Sequence, residues 1–401
     1  MDWQTHEDSS PSEIITNAQI RSLLGKPAPS GAWRDGDPIG NRQFVDIGDI
    51  VTEHGDTIPH TRISYETFGT LTPSRDNAIL VLHALTGDSH LSGPAGAGHH
   101  TNGWWNNLVG PGRALDTNKW FIVAPNILGG CQGSTGPASL APDSAEWGAR
   151  FPYLTIRDQV AAQLAFTQAI KIDTWAAVIG GSMGGMHALE WGAQHASLVQ
   201  RLAVIAAPPA TTADQIAVNL VQLEAITSDP AFRDGRYYNA GDGNGPHQGL
   251  ALARRIALLN YRSPTELNDR FSRSWQSTLS PLGEGGRFAV ESYLDFHGNK
   301  FTRRFDANSY ITLVNAMNSH DVGRGRGGVA RALSQITMPT LVLGIPSDRL
   351  FPIEGQQTIA SGVPGNIDGK VPALLNSEFG HDGFLIESEP VSGHLSRLLD
   401  L

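Results

Sequence analysis

Residues 175–195 read WAAVIGGSMGGMHALEWGAQH, and the centre of this stretch, Gly180-Gly181-Ser182-Met183-Gly184, decides the fold. It matches G-x-S-x-G. An apolar, β-branched run precedes it, and Met183–His195 reads as a helix after it. A strand that turns sharply into a helix brings backbone against backbone, so the flanks must be glycine. The turn raises the serine hydroxyl above the end of the sheet and aims the Met183 N–H, at a helix N-terminus, toward a reacting oxygen. A passive Ser in a Gly-rich turn has the same local pattern, so the rest of the chain must decide.

Working outward, further apolar runs surround this one: Ala78–His83, Trp120–Pro125, Arg201–Ala206, Thr340–Ile345 and Val371–Leu375. None alternates, which suits strands of a parallel sheet buried on both faces. Phe44–Thr52 and Thr61–Phe68 partly alternate and suit an added strand pair. Thr155 and Asp158 mark a helix start before Val160, Leu164 and Ile170. Between 209 and 335 the strand rhythm stops, helix-like patterns take over, and Asp234–Gly249 reads as loop. The expected architecture is α/β, a mostly parallel sheet with an inserted helical lid. The expected boundaries are a loose N-terminal arm over 1–40, a core over 41–208 and 336–401, and the lid over 209–335.

A serine hydroxyl needs a base to take its proton. The elbow therefore predicts a later acid and then a later histidine. Asp348 follows the Thr340–Ile345 strand, and His381 lies in a loop after the last strand. Each alone is an ordinary loop residue. Three elements in the order Ser, Asp, His at three strand ends predict a catalytic triad on an α/β-hydrolase fold. A second main-chain oxyanion donor is expected in the loop after Ala78–His83. Leu85 is assigned to it, as partner to Met183.

The chain has 401 residues, with 29 Lys+Arg against 39 Asp+Glu and a formal net charge of −10. That balance argues against a nucleic-acid surface. Cys131 is the sole cysteine, so no disulfide forms within the chain. With an N-terminus unlike a signal peptide and no apolar run of spanning length, the expectation is a cytoplasmic protein with no membrane partner. His99-His100 has no third ligand at a fitting spacing, so no metal is expected. Gly323–Gly328 (GRGRGG) reads as a hinge in preference to a phosphate contact.

The segments LHALTGDSH (82–90), NILGGCQGSTGP (126–137), GGSMGGMHALEW (180–191), ESYLDFHGNKFTRRFDANSY (291–310), HDVGRGRGG (320–328), SDRLFP (347–352) and GHDGFL (380–385) together resemble the homoserine O-acetyltransferases. The resemblance runs from about residue 40 to the C-terminus. It implies a ping-pong reaction in which Ser182 takes an acetyl group from acetyl-CoA, a co-substrate, and hands it to L-homoserine, with no permanently bound cofactor. The family's spacing places its carboxylate-binding Arg at Arg254, with Tyr261 seven residues on. The Asp that meets the amino group falls at Asp382, and Arg255 is the neighbour most easily confused with Arg254. The resemblance also implies a homodimer through the lid helices. One position departs: Leu223 stands where many members carry Arg. A succinyl-CoA donor or a serine acceptor is the near alternative. A serine esterase on the same triad, or a non-catalytic binding protein of this fold, is the distant one.

Overall fold

The computed structural model describes residues 23–401. Its main sheet has eight strands in the order β1-β2-β6-β3-β7-β8-β9-β10. These are β1 (Gln43–Val51), β2 (Thr57–Phe68), β3 (Ala78–Leu82), β6 (Phe121–Pro125), β7 (Ala177–Gly181), β8 (Leu202–Ile205), β9 (Thr340–Gly344) and β10 (Ala373–Leu374). A separate ladder joins β4 (Val109–Gly110) to β5 (Leu115–Asp116), two strands too short to leave a pattern in the sequence. β1 and β2 pair antiparallel, and β2 meets β6 antiparallel. Every other pairing in the main sheet is parallel.

The apolar runs do not alternate because both faces of the sheet are covered. Leu80, Leu82, Val178, Val204 and Val342 face one core, with Phe166 of α1 (Ile156–Ala169) and Trp191 of α2 (Met183–Gln194). Ile79, Val81, Ile179, Ile205 and Leu343 face the other core, with Leu395 and Leu398 of the C-terminal helix (Ser388–Leu399). Successive residues feed opposite cores, as the pleat requires.

α1 begins as the sequence predicts. The Thr155 side chain accepts from the Asp158 N–H at 3.1 Å, and Asp158 Oδ2 accepts from the Thr155 N–H at 2.8 Å. This reciprocal capping satisfies two orphan donors. Asp158 Oδ1 also accepts from the Glu53 N–H at 2.7 Å, so the helix start is tied to the β1–β2 turn.

Between β8 and β9 the chain is mostly helical. It forms α3 (Ala213–Thr227), α4 (His247–Tyr261), α5 (Pro264–Phe271), α6 (Ala289–Phe301), α7 (Ala307–Asn318) and the short α8 (Val329–Leu333). The expected loose arm covers residues 1–40, of which 1–22 lie outside the described residues. Residues 23–33 are tied down. The Gly31 N–H donates to Phe305 O at 3.1 Å, the Trp33 N–H to Cys131 O at 2.9 Å, and Ser30 Oγ to Asp306 Oδ1 at 2.7 Å. This part of the arm thus finds hydrogen-bond partners on the folded body.

The register brings the functional loops to one edge of the sheet. Leu82 lies opposite Gly180, Gly181 opposite Ile205, Ile205 opposite Leu343, and Leu343 opposite Ala373. The chain segments carrying Leu85, Ser182, Asp348 and His381 all leave from that edge.

The elbow shows why its glycines are needed. A Cβ on Gly180 would stand 1.9 Å from Gly184 O, and one on Gly184 would stand 2.1 Å from Leu82 O. Both obstacles are backbone, which cannot swing aside. Gly180→Ala is therefore expected to destabilise the fold by about 3 kcal/mol or more, at the upper end of overpacking costs. Urea unfolding measures this, and an unchanged midpoint would contradict the packing argument.

Candidate active site

Ser182 has φ 58° and ψ −123°, a left-handed backbone that side chains other than glycine rarely adopt. Its N–H donates to Ile205 O at 2.9 Å, which pins the turn to the neighbouring strand. Ser182 Oγ lies 2.8 Å from His381 Nε2. His381 Nδ1 lies 2.6 Å from Asp348 Oδ2. The other carboxylate oxygen of Asp348 accepts from the Leu350 N–H at 2.8 Å and the Phe351 N–H at 2.9 Å. An acid held by two backbone donors orients the imidazole, and the imidazole reaches the hydroxyl. All three residues are buried. Burial disfavours a charged His381, but the facing Asp348 carboxylate outweighs it and raises the pKa above the ordinary 6.5.

A pocket of about 180 Å³ opens over Ser182. Leu85, Arg254, Tyr261, Arg304, Asp382 and Trp104 are among its lining residues. The volume is comparable to the roughly 150 Å³ cavity that accepts a benzene molecule, the scale of a small acceptor. Among the described residues, neither the Leu85 N–H nor the Met183 N–H donates to a protein acceptor. The helix that begins at Met183 adds its positive end to the same place.

The pocket is rich in cations. Arg254 forms no ion pair among the described residues, and its Nη1 is buried without a hydrogen-bond partner. Its guanidinium stacks over Tyr261 at 5.3 Å and Phe301 at 5.1 Å. Arg255 is not among the pocket's lining residues and pairs with Asp295 at 2.7 Å. Asp382 has Arg262 Nε at 3.3 Å. Burial pushes the Asp382 pKa up, against the pull of Arg262 and Arg254.

Sequence reasoning missed Arg304 and Trp104. Arg304 donates to Thr86 O at 3.0 Å, and Trp104 Nε1 donates to Asp88 O at 3.0 Å. Arg304 lies within one of the resembling segments, but nothing local set it apart from Arg303. Trp104 sits in a loop with no periodicity, and only the tertiary fold brings it over the serine.

The structure also places the weaker sequence signals. Arg324 pairs with Glu53 and Arg326 with Glu190, each at 2.7 Å, so both cations of the Gly323–Gly328 loop are engaged in binding that loop to the core. Leu223 packs against the main core. Burial pushes the Cys131 thiol up to about 12, which leaves it inert. His99 meets Glu66 and His90, a cluster that sequence spacing did not reveal. The two imidazoles stack at 3.8 Å, and His99 Nε2 accepts from the Asn41 N–H at 3.0 Å. His90 Nδ1 faces Glu66 Oε2 at 3.1 Å. The ring nitrogens nearest the carboxylate thus already have protein partners.

The family model described as alpha/beta hydrolase fold matches residues 77–374. A homoserine O-acetyltransferase from Leifsonia xyli subsp. xyli is 65% identical over 399 residues, covering 99% of each chain. One from Thermobifida fusca is 53% identical and covers 93% of this chain and 98% of its own. Among solved structures, a homoserine O-acetyltransferase from Bacillus anthracis superposes with a TM-score of 0.80 at 26% identity, covering 90% of this chain and 97% of its own. Esterase E22 also reaches 0.80 at 24% identity, covering 89% of this chain and 99% of its own, a likeness of fold. With near-complete coverage at 65% identity, the chain belongs to the homoserine O-acetyltransferase family.

Proposed function

We propose that Ser182, His381 and Asp348 transfer an acetyl group from acetyl-CoA to the hydroxyl of L-homoserine. Ser182 Oγ attacks the thioester carbonyl while His381 Nε2 takes its proton. The oxyanion that forms meets the free N–H groups of Leu85 and Met183. Collapse breaks the C–S bond, and CoA leaves with the proton from His381. The acetyl-enzyme is then attacked by the homoserine hydroxyl, whose proton passes to His381. A second collapse releases O-acetyl-L-homoserine and returns the proton to Ser182. Asp348 fixes the imidazole and balances its charge at each stage.

The single observation that carries transfer over hydrolysis is the unpaired Arg254 beside Asp382 in the serine's own pocket. A guanidinium without a counter-ion fits a carboxylate, and a carboxylate nearby fits an ammonium. An amino acid supplies both. A simple ester supplies neither. Tyr261 supports the guanidinium with its ring face. The curated relatives' name supports acetyl as the acyl group and homoserine as the acceptor. No described helix is long and apolar enough to cross a membrane. That fits a cytoplasmic enzyme of small-molecule metabolism. Ile216, Leu220 and Val221 on α3 are exposed apolar side chains, which fits pairing of two copies through the inserted helices.

The test is to mix the protein with acetyl-CoA, with and without L-homoserine, and to follow free thiol and amino-acid product. Thiol release is expected to depend on homoserine and to match O-acetyl-L-homoserine formation. Equal release without homoserine would mean hydrolysis. Under the same assay Arg254→Met is expected to raise the KM for homoserine by about tenfold to a hundredfold, the worth of a charge-assisted contact. An unchanged KM would remove Arg254 from the acceptor site.

His381 acts as a base only when neutral, and its pKa is raised. Acetylation by acetyl-CoA should therefore gain rate as pH rises through an apparent pKa above 6.5, and lose it below. Pre-steady-state thiol release across pH measures this. A midpoint below 6.5 would contradict the Asp348 contribution.

A further inference from the structure

His83 is buried, is not among the residues lining the pocket, and makes no hydrogen bond to Ser182 among the described residues. The reaction as proposed does not use it. Its two ring nitrogens nevertheless have defined partners. Nε2 lies 3.1 Å from the Ile127 nitrogen, whose N–H can only donate, so Nε2 is the unprotonated nitrogen. Nδ1 then carries the hydrogen and donates to Ala84 O at 2.7 Å. The same carbonyl accepts the Gly87 N–H at 2.9 Å.

The Ala84 carbonyl and the Leu85 N–H belong to one peptide plane. In a trans peptide they point in opposite directions, and the chain has no cis peptide among the described residues. Two donors on the carbonyl side therefore fix where the Leu85 N–H points. The N–H is thereby turned away from the His83 ring and the Gly87 N–H, it has no protein acceptor among the described residues, and Leu85 itself lines the pocket. Hydrogen bonds to a carbonyl also polarise the peptide and make its N–H a stronger donor. The chain from His83 to Ser89 is outside any helix or strand; Arg304 and Trp104 hold it at Thr86 O and Asp88 O, and His83 and Gly87 hold it at the Ala84 carbonyl.

We propose that neutral His83 is a positioning residue that orients and polarises the Leu85 N–H for the developing oxyanion. The inference rests on the reading of Leu85 as an oxyanion donor. His83 acts through the Ala84–Leu85 peptide and not on substrate. Its neutrality is built in: protonation of Nε2 would set an N–H against the Ile127 N–H in a buried site.

Asparagine and glutamine separate the two ends of the ring. In His83→Asn the amide nitrogen sits near the Nδ1 position and can still donate to Ala84 O. In His83→Gln the amide reaches the Nε2 position and leaves that carbonyl without its side-chain donor. His83→Phe keeps bulk and loses both contacts. The experiment measures the single-turnover rate of acetylation by acetyl-CoA, the KM for L-homoserine, the melting temperature, and inhibition by trifluoroacetone. The last forms a tetrahedral adduct on the serine with an oxyanion. Removing one oxyanion donor costs about a hundredfold to a thousandfold, so misaiming one is expected to cost about tenfold to a hundredfold. His83→Gln and His83→Phe should lose that much in acetylation and in trifluoroacetone affinity, with the homoserine KM unchanged. His83→Asn should stay within about threefold of wild type, the restored donor being the missing element. If Phe does not fold, the Asn–Gln pair decides. Equal losses in Asn and Gln, or losses that track melting temperature alone, overturn the role of His83. A wild-type protein that acetyl-CoA does not acetylate overturns the functional reading itself, and this inference with it.

Discussion

The backbone turn at Ser182 holds φ 58° against its steric cost, and the site is arranged around it. A non-glycine residue in such a conformation costs on the order of 1–3 kcal/mol and persists only where its surroundings over-determine it. Here the Ser182 N–H is bound to Ile205, and Gly180 packs on Gly184 with no room for a single carbon between them. Gly184 in turn sits on Leu82, the last residue of β3. The turn that lifts the hydroxyl therefore also fixes the distance to the next strand end, where the Leu85 loop begins. Moving one would move the other.

Charge in the pocket then chooses what may follow. A Ser–His–Asp relay serves hydrolysis and transfer alike, so it does not discriminate between acceptors. In the proposed reading, a zwitterion completes the pattern left by Arg254, which has no ion pair among the described residues, and Asp382, partly matched by Arg262. The aromatic faces of Tyr261 and Phe301 keep the guanidinium in place without neutralising it. Leaving a buried cation unmatched is costly, and an anionic ligand there would offset that cost.

Much of the frame was legible from residues 78–83, 120–125, 175–195 and 340–345, because strands covered on both faces need unbroken apolar runs. The order Ser182, Asp348, His381 was legible for a related reason: each follows a strand, and parallel strands put their carboxyl ends on one edge. Arg304, Trp104 and His83 were not legible in this way. Arg304 reaches the Thr86 carbonyl, Trp104 the Asp88 carbonyl and His83 the Ile127 N–H, contacts that no local period marks. The β4–β5 ladder escaped notice because two residues carry no pattern. How residues 30–33 attach was not legible, because their hydrogen bonds to Cys131, Phe305 and Asp306 depend on parts of the fold that composition does not record.

The central claim is that Ser182 carries the acyl group between donor and acceptor. The most direct measurement incubates the protein with acetyl-CoA alone, quenches in acid and maps the modified peptide by mass spectrometry. A second sample is chased with L-homoserine before the quench. The account predicts one acetyl group on Ser182, absent in Ser182→Ala and removed by the chase as O-acetyl-L-homoserine. An acetyl group on another residue, or on Ser182 but untouched by homoserine, would contradict it.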